Sequence, residues 1–219
     1  MGVLTMRNGL LAAGMLLTAP VFAGSMASPS MLADTCVVCH GPDGNSRGPA
    51  TPSIAGLSKN YIIGAMLAYK HGDDTDAIEA AIESQSGTLD PDMFEAMPRT
   101  STIMNRIAGG YTTEEIIAIA GHFASKKFMA VAQPGDAALI ARGEKVHDKQ
   151  CEKCHEEGGS FSEDDVGLLA GQWKPYLSNT LMDLHAGDRT MPKKMAAKMK
   201  KLDAGDAEAL VEFYGSQGK

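Results

Sequence analysis

The sequence predicts an all-α protein made of two tandem copies of one helical plan. Three observations carry that prediction. Stretches far apart in the chain repeat one another at fixed offsets, which marks two similar folding units in one chain. Each copy closes on an apolar stripe with the 3.6-residue period of an amphipathic helix. No stretch sustains the strict apolar–polar alternation of a half-buried strand.

The repeat has two registers. At an offset of 115 residues, Cys36 pairs with Cys151, Ile54-Ala55-Gly56 with Leu169-Ala170-Gly171, Tyr61 with Tyr176, and Gly72-Asp73 with Gly187-Asp188. At an offset of 91, Met104 pairs with Met195, Tyr111 with Leu202, and Phe123 with Tyr214. The difference of 24 residues places an insertion in the first copy, at about residues 75–98. The expected organisation is a leader over 1–23, a first domain over 24–130 that carries the insertion, and a second domain over 131–219. Gln133-Pro134-Gly135 is the turn-forming joint.

The leader has one base, Arg7, then the apolar run GLLAAGMLLTAPVFA with a small-residue end. That is the layout of a signal peptide cut after Ala23, or alternatively after Ala27. The run is broken by Pro20 and too short to span a bilayer. An exported protein is expected, placed in the periplasm. Helical stretches over Pro29–Thr35 and Asp136–Gln150 come next in each copy. Inside the insertion, DAIEAAIESQ reads as a short helix followed by a loop. The closing helix of the first copy starts with a capping box, Thr112 to Glu115, and carries Ile116, Ile119, Ala120 and Phe123 on one face. In the second copy Asp203 is the expected N-cap, and Ala207, Leu210, Val211 and Tyr214 form the stripe.

All four cysteines fall in two five-residue motifs, CVVCH at Cys36–His40 and CEKCH at Cys151–His155. A four-cysteine zinc site is arithmetically possible, but it leaves both adjacent histidines unexplained. A redox C-x-x-C expects a βαβ setting, which the sequence lacks. C-x-x-C-H is the pattern of covalent haem c attachment. Cys36, Cys39, Cys151 and Cys154 add to the haem vinyl groups, and His40 and His155 supply the proximal imidazoles. Two haems also answer a packing problem. Aromatic residues make up only 5% of the chain, little for the cores of two small domains.

The register supplies a sixth ligand for each iron, Met104 in the first copy and Met195 in the second. Met191 and Met199 flank Met195 and compete with it. A thioether opposite an imidazole raises the reduction potential and leaves no open iron site. His71, His122, His147 and His185 read as surface or hydrogen-bonded histidines rather than ligands.

The formal charge is −7, and removal of Arg7 with the leader takes it to −8, which argues against a nucleic-acid partner. One basic cluster stands out: Lys193, Lys194, Lys198, Lys200 and Lys201, around Met195. Lysines ringing a haem edge would steer an acidic partner to it. No G-x-G-x-x-G follows a strand, and no cysteine is left over. The chain is therefore expected to conduct electrons, with no catalytic site of its own.

CHGPDGNSRGPATPSIAGL, STIMNRIAGGYTTEEIIAIAGHF, HDKQCEKCHEEGG, LAGQWKPYL and MPKKMAAKMKKL together resemble the two-haem cytochrome subunit of flavocytochrome c sulfide dehydrogenase, over nearly the whole mature chain. The first haem loop is shared with other two-domain class I cytochromes c. The STIM–RIA–GY and CEKCHEEGG stretches are more particular to that subunit. The resemblance implies two class I cytochrome c domains, each wrapped around one covalent haem. It implies a heterodimer with a flavoprotein whose covalently bound FAD oxidises sulfide. Electrons would then pass through the haems to an external acceptor such as a small soluble cytochrome c; the alternative expectation is a free-standing periplasmic dihaem cytochrome c that shuttles electrons to a terminal oxidase. By position, Cys36, Cys39, His40 and Met104 match the family's first haem site, and Cys151, Cys154, His155 and Met195 the second. The insertion departs from the family. Between His71 and Pro98 it has eight acids and no lysine or arginine.

Overall fold

The computed structural model describes Met1, residues 27–162 and residues 165–218. Apart from Met1, the expected leader lies outside the described residues. Ten α-helices and three short 3-10 or π-helical turns, and no strand, occur among the described residues. None is long and apolar enough to cross a membrane.

In the first half, α1 spans Pro29–His40. Ser28 caps it by accepting the Met31 N–H, and Pro29 sits in the first turn, where its missing N–H costs nothing. The helix runs past the expected end at Thr35 and carries the whole CVVCH motif in its last turns. α2 (Lys59–His71) is capped by Ser58, and α3 (Thr75–Glu83) by Asp74. A strap over residues 84–103 then leads to α4 (Met104–Gly109) and α5 (Thr113–Ala124). The capping box is formed: Thr112 Oγ1 accepts the Glu115 N–H, and the Glu115 carboxylate accepts the Thr112 N–H. α2 packs on α4 and α5, and α1 on α5.

In the second half, α6 (Ala137–Val146) is capped by Asp136 and loosens into a π-helical turn at His147–Cys151. A single turn, α7 (Glu156–Gly159), follows, then α8 (Lys174–Ala186), α9 (Lys193–Met199) and α10 (Asp206–Ser216). α6 and α10 form the main pair. Gly143 makes their close approach possible, since a Cβ there would lie 2.0 Å from the Ala209 carbonyl oxygen.

α10 departs from expectation. It starts at Asp206, with Gly205 rather than Asp203 as the cap. Gly205 has φ 84°, a left-handed conformation that stops the helix extending backwards. The Asp206 carboxylate instead accepts the Asp203 N–H at 2.8 Å. Of the expected stripe Leu210, Val211 and Tyr214 are buried and Ala207 is exposed, while Ala209 and Phe213 join the buried face.

Both registers of the repeat appear as hydrogen bonds. The Gly44 carbonyl accepts the Ile54 and Ala55 N–H groups at 2.7 and 3.1 Å; 115 residues on, the Gly159 carbonyl accepts those of Leu169 and Ala170 at 2.9 and 3.0 Å. Gly56 N–H donates to Phe123 O, and Gly171 N–H donates to Tyr214 O. Gly44 and Gly159 have φ of 80° and 86°, and a Cβ on either would press into Phe123 or Tyr214. Glycine is required at both.

The halves are stitched by polar contacts. Gln172 is buried; its Oε1 accepts the Ser53 N–H at 3.0 Å and its Nε2 donates to the Ser53 carbonyl at 2.8 Å. Trp173 Nε1 donates to Ser46 O. Ser58 and Asn60 donate to the Asp165 carboxylate.

Candidate functional site

The first motif ends a regular helix. His40 is buried, and its Nδ1 lies 2.8 Å from the Pro52 carbonyl. A carbonyl only accepts, so Nδ1 carries the proton and Nε2 keeps a free lone pair, the form an iron ligand needs. Burial lowers the imidazole pKa, and the Pro52 bond offsets part of that, so the ring is neutral near pH 7. The Cys36 thiol is half-buried and raised by burial, while Cys39 is exposed. Met104 opens α4 and packs with Cys36 against one core. The structure therefore brings Cys36 and Met104 onto the same apolar wall.

The second motif begins at Cys151, the last residue of the π-helical turn, and runs on through the turn that follows. Gly167 lies 115 residues after Pro52, and its carbonyl takes the corresponding part, supporting the His155 imidazole against the larger lowering by burial. That contact is looser than its counterpart: His155 Nδ1 is enclosed, but no acceptor meets hydrogen-bond geometry. Cys151 is half-buried, its thiol raised by burial, and Cys154 is exposed. Met195 lies on α9, half-buried, as are Met191 and Met199. Cys151 packs against the second core, and none of these three methionines does.

The other histidines divide. His147 is buried between the Tyr214 hydroxyl, 2.9 Å from its Nδ1, and the Glu152 carboxylate at its Nε2. His185 is exposed, and the enclosed Nε2 of His71 has no hydrogen-bond partner. All four cysteines are unpaired. Among the described residues no group of three or more His, Cys, Asp or Glu side chains is placed to hold a metal ion.

The residues present fit a haem in each half. Each half offers two thiols and a neutral imidazole, with a thioether in sequence register. Around the first, Val38, Ile103 and Ile107 are 84%, 64% and 41% exposed, large apolar groups beside Cys39 and Met104 that suit an apolar plane. Between the halves lies a cluster that motif spacing missed. The Arg99 guanidinium sits 5.3 Å from the Tyr61 ring centre, and Arg189 lies 3.4 Å from the Tyr61 hydroxyl. Burial would raise the Tyr61 phenol, but the two guanidinium groups outweigh it and bring it down to about 8. Among the described residues neither arginine has an ion pair with a carboxylate. Two guanidinium groups with no carboxylate partner fit the carboxylate edge of a haem. Tyr61 and Tyr176 showed in the repeat; Arg99 and Arg189 are 90 residues apart, one short of the register, and so fell out of it.

Residues 138–213 match the family model of cytochrome C oxidase, cbb3-type, subunit III. Cytochrome c4 of Azotobacter vinelandii is 26% identical over 206 residues, covering 87% of this chain and 89% of that protein. Reduced recombinant cytochrome c4 from Pseudomonas stutzeri superposes with a TM-score of 0.67 at 25% identity, covering 86% of this chain and 96% of that one. The fold is a tandem pair of class I cytochrome c domains. The chain is similar to cytochrome c4 over nearly its whole length. The flavocytochrome resemblance is narrower than its motifs suggest. The cytochrome subunit of sulfide dehydrogenase from Chlorobaculum tepidum is 38% identical over 93 residues, which is 42% of this chain and 61% of that protein.

Proposed function

We propose that this chain is a free-standing periplasmic dihaem c electron carrier, receiving electrons from one redox protein and delivering them to another. One observation carries the reading: the likeness to cytochrome c4 spans both halves and 87% of the chain. Cys36, Cys39, Cys151 and Cys154 would hold the haems as thioethers, with His40 and Met104, and His155 and Met195, as axial ligands. Bound haem supplies an iron that cycles by one electron. The chain's own residues keep both proximal imidazoles neutral, aim that of His40 through the Pro52 carbonyl, and set apolar side chains beside the first attachment site, which tune the potential.

A second reading has specific support. The 38% identity to the sulfide dehydrogenase cytochrome subunit favours an electron-accepting subunit docked on an FAD-bearing partner that oxidises sulfide. Gentle purification from the periplasm, followed by an absorbance spectrum and a denaturing gel, separates the two. Haem c bands with a single chain support the carrier. Flavin absorbance under the haem bands, a larger second chain and bleaching by sulfide overturn it in favour of the subunit.

A further inference from the structure

The insertion builds a groove that the haem sites do not use. α3 and the following strap enclose about 530 Å³. Its floor is apolar, from Ile82, Pro91 and Phe94. Its wall is acidic: Asp76, Glu79 and Glu83 stand at i, i+3 and i+7 of α3, and so share one helix face. Ile78 and Ile82, on the adjoining face, are buried in the first core, which fixes the orientation of the stripe. All three carboxylates are exposed, and among the described residues none is ion-paired. The segment between His71 and Pro98 offers no lysine or arginine to neutralise them.

An apolar trough edged by unpaired anions complements a surface with an apolar centre and a lysine rim. We propose that this groove docks a protein partner presenting such a lysine-bearing amphipathic segment. Its place explains why docking there is useful. The strap that forms one side of the groove runs on into Met104, and Ile82, Phe94 and Met104 all pack on the same core. The lysines around α9 carry the opposite sign on the other half. The two halves would then recognise partners of opposite charge, one on each side of an electron path. The proposal rests on the carrier reading only for what the partner delivers; recognition by the groove can be tested without it.

The experiment uses the haem-loaded protein and, as probe, a synthetic helical peptide of alternating lysine and leucine clusters, with binding followed by calorimetry at low and moderate salt. The triple variant Asp76→Asn, Glu79→Gln, Glu83→Gln should bind about tenfold more weakly. Ala80→Lys, which places a cation in the groove, should weaken binding similarly. A control that removes the same charge from the second half, Glu144→Gln, Asp148→Asn, Glu208→Gln, should bind as wild type does. Unchanged haem spectra and melting show that the variants fold. Equal losses in control and groove variants reduce the effect to net charge and overturn the proposal. So does absence of binding to the wild type. Concentration-dependent self-association in sedimentation, abolished by the groove variants, would make a second copy the occupant and overturn it as well.

Discussion

Among the described residues, seventeen buried residues make the hydrophobic core of the first half, one of them lent by the second, and five make that of the second half. The two halves follow the same plan, so the difference lies in what fills it. Three of the seventeen, Ile78, Ile82 and Leu89, come from the insertion, and a fourth, Leu168, is lent by the second half. The second half's cluster is Leu177, Leu210, Val211, Phe213 and Tyr214, and Ala170, Leu184 and Ala209 are buried outside it. A small domain with so few buried side chains cannot offset its chain entropy alone. The first half should hold its shape with protein atoms, and the second should lean on its cofactor.

The largest effect tests that comparison directly. Cys36→Ala with Cys39→Ala, and separately Cys151→Ala with Cys154→Ala, should each take haem content from two to one, read as the alkaline pyridine haemochrome. Amide exchange should then separate them. Loss of the second attachment should open most of residues 137–218, while loss of the first should leave α2, α3 and α5 protected. Equal exchange in the two variants would break the comparison.

The proposed axial ligands come next. Met104→Ala and Met195→Ala should each remove half of the sulfur-to-iron charge-transfer absorbance of the oxidised protein and lower one of two potentials. Each should also open one iron to cyanide. Met191→Ala and Met199→Ala should leave the band whole. Met104 packs on its core and Met195 does not, so the second site is where this assignment meets its hardest test. A band lost in Met191→Ala would move the ligand one turn back along the chain.

The same asymmetry explains how far the sequence could be read. The repeat, the helix order, the capping box at Thr112 and the stripe Ile116, Ile119, Ala120, Phe123 are local or periodic signals, and the folded chain keeps them. The start of α10 was misplaced because Asp203 looks like a cap, and only tertiary structure shows Gly205 in a left-handed turn. Gln172 and Trp173, which join the halves, left no trace in the repeat, because their partners Ser53 and Ser46 lie in the other copy. Arg99 was hidden by the insertion that precedes it.

The insertion also carries a prediction of intermediate size. Ile78 is 1% exposed, so Ile78→Ala should cost the first half about 2–5 kcal/mol in denaturant unfolding. The second half's transition should stay in place. No change would mean that the insertion only rests on the first half and does not belong to its core.

A smaller effect belongs to the second half. Arg142 holds Asp206 at 2.7 Å, and the carboxylate also accepts the Asp203 N–H. Burial pushes the Asp206 pKa up, but these partners together bring it below the ordinary value. The sign follows: a carboxyl depressed in the folded state adds stability above its unfolded pKa of about 3.9, and that stability is lost as pH falls through the folded value. Arg142 is 45% exposed, so screening keeps the contribution of the pair to about 1 kcal/mol. Arg142→Ala should therefore move the acid-unfolding midpoint of the second half to higher pH and leave the first half unmoved.

The smallest contrast lies at the two closing helices. α5 begins on a side-chain cap, so Thr112→Ala should cost about 0.5–1 kcal/mol and Thr112→Ser almost nothing. α10 begins on Gly205, which makes no side-chain cap and holds φ 84°. Gly205→Ala should cost about 1 kcal/mol through the left-handed backbone, with no hydrogen bond lost. Gly205→Asn should recover part of it, because asparagine tolerates that conformation. Thermal melts of the four variants check this. A matching recovery by serine at 205 would mean that a missing cap, not backbone strain, limits the start of α10. The two copies would then differ in side-chain choice and not in how their last helix begins.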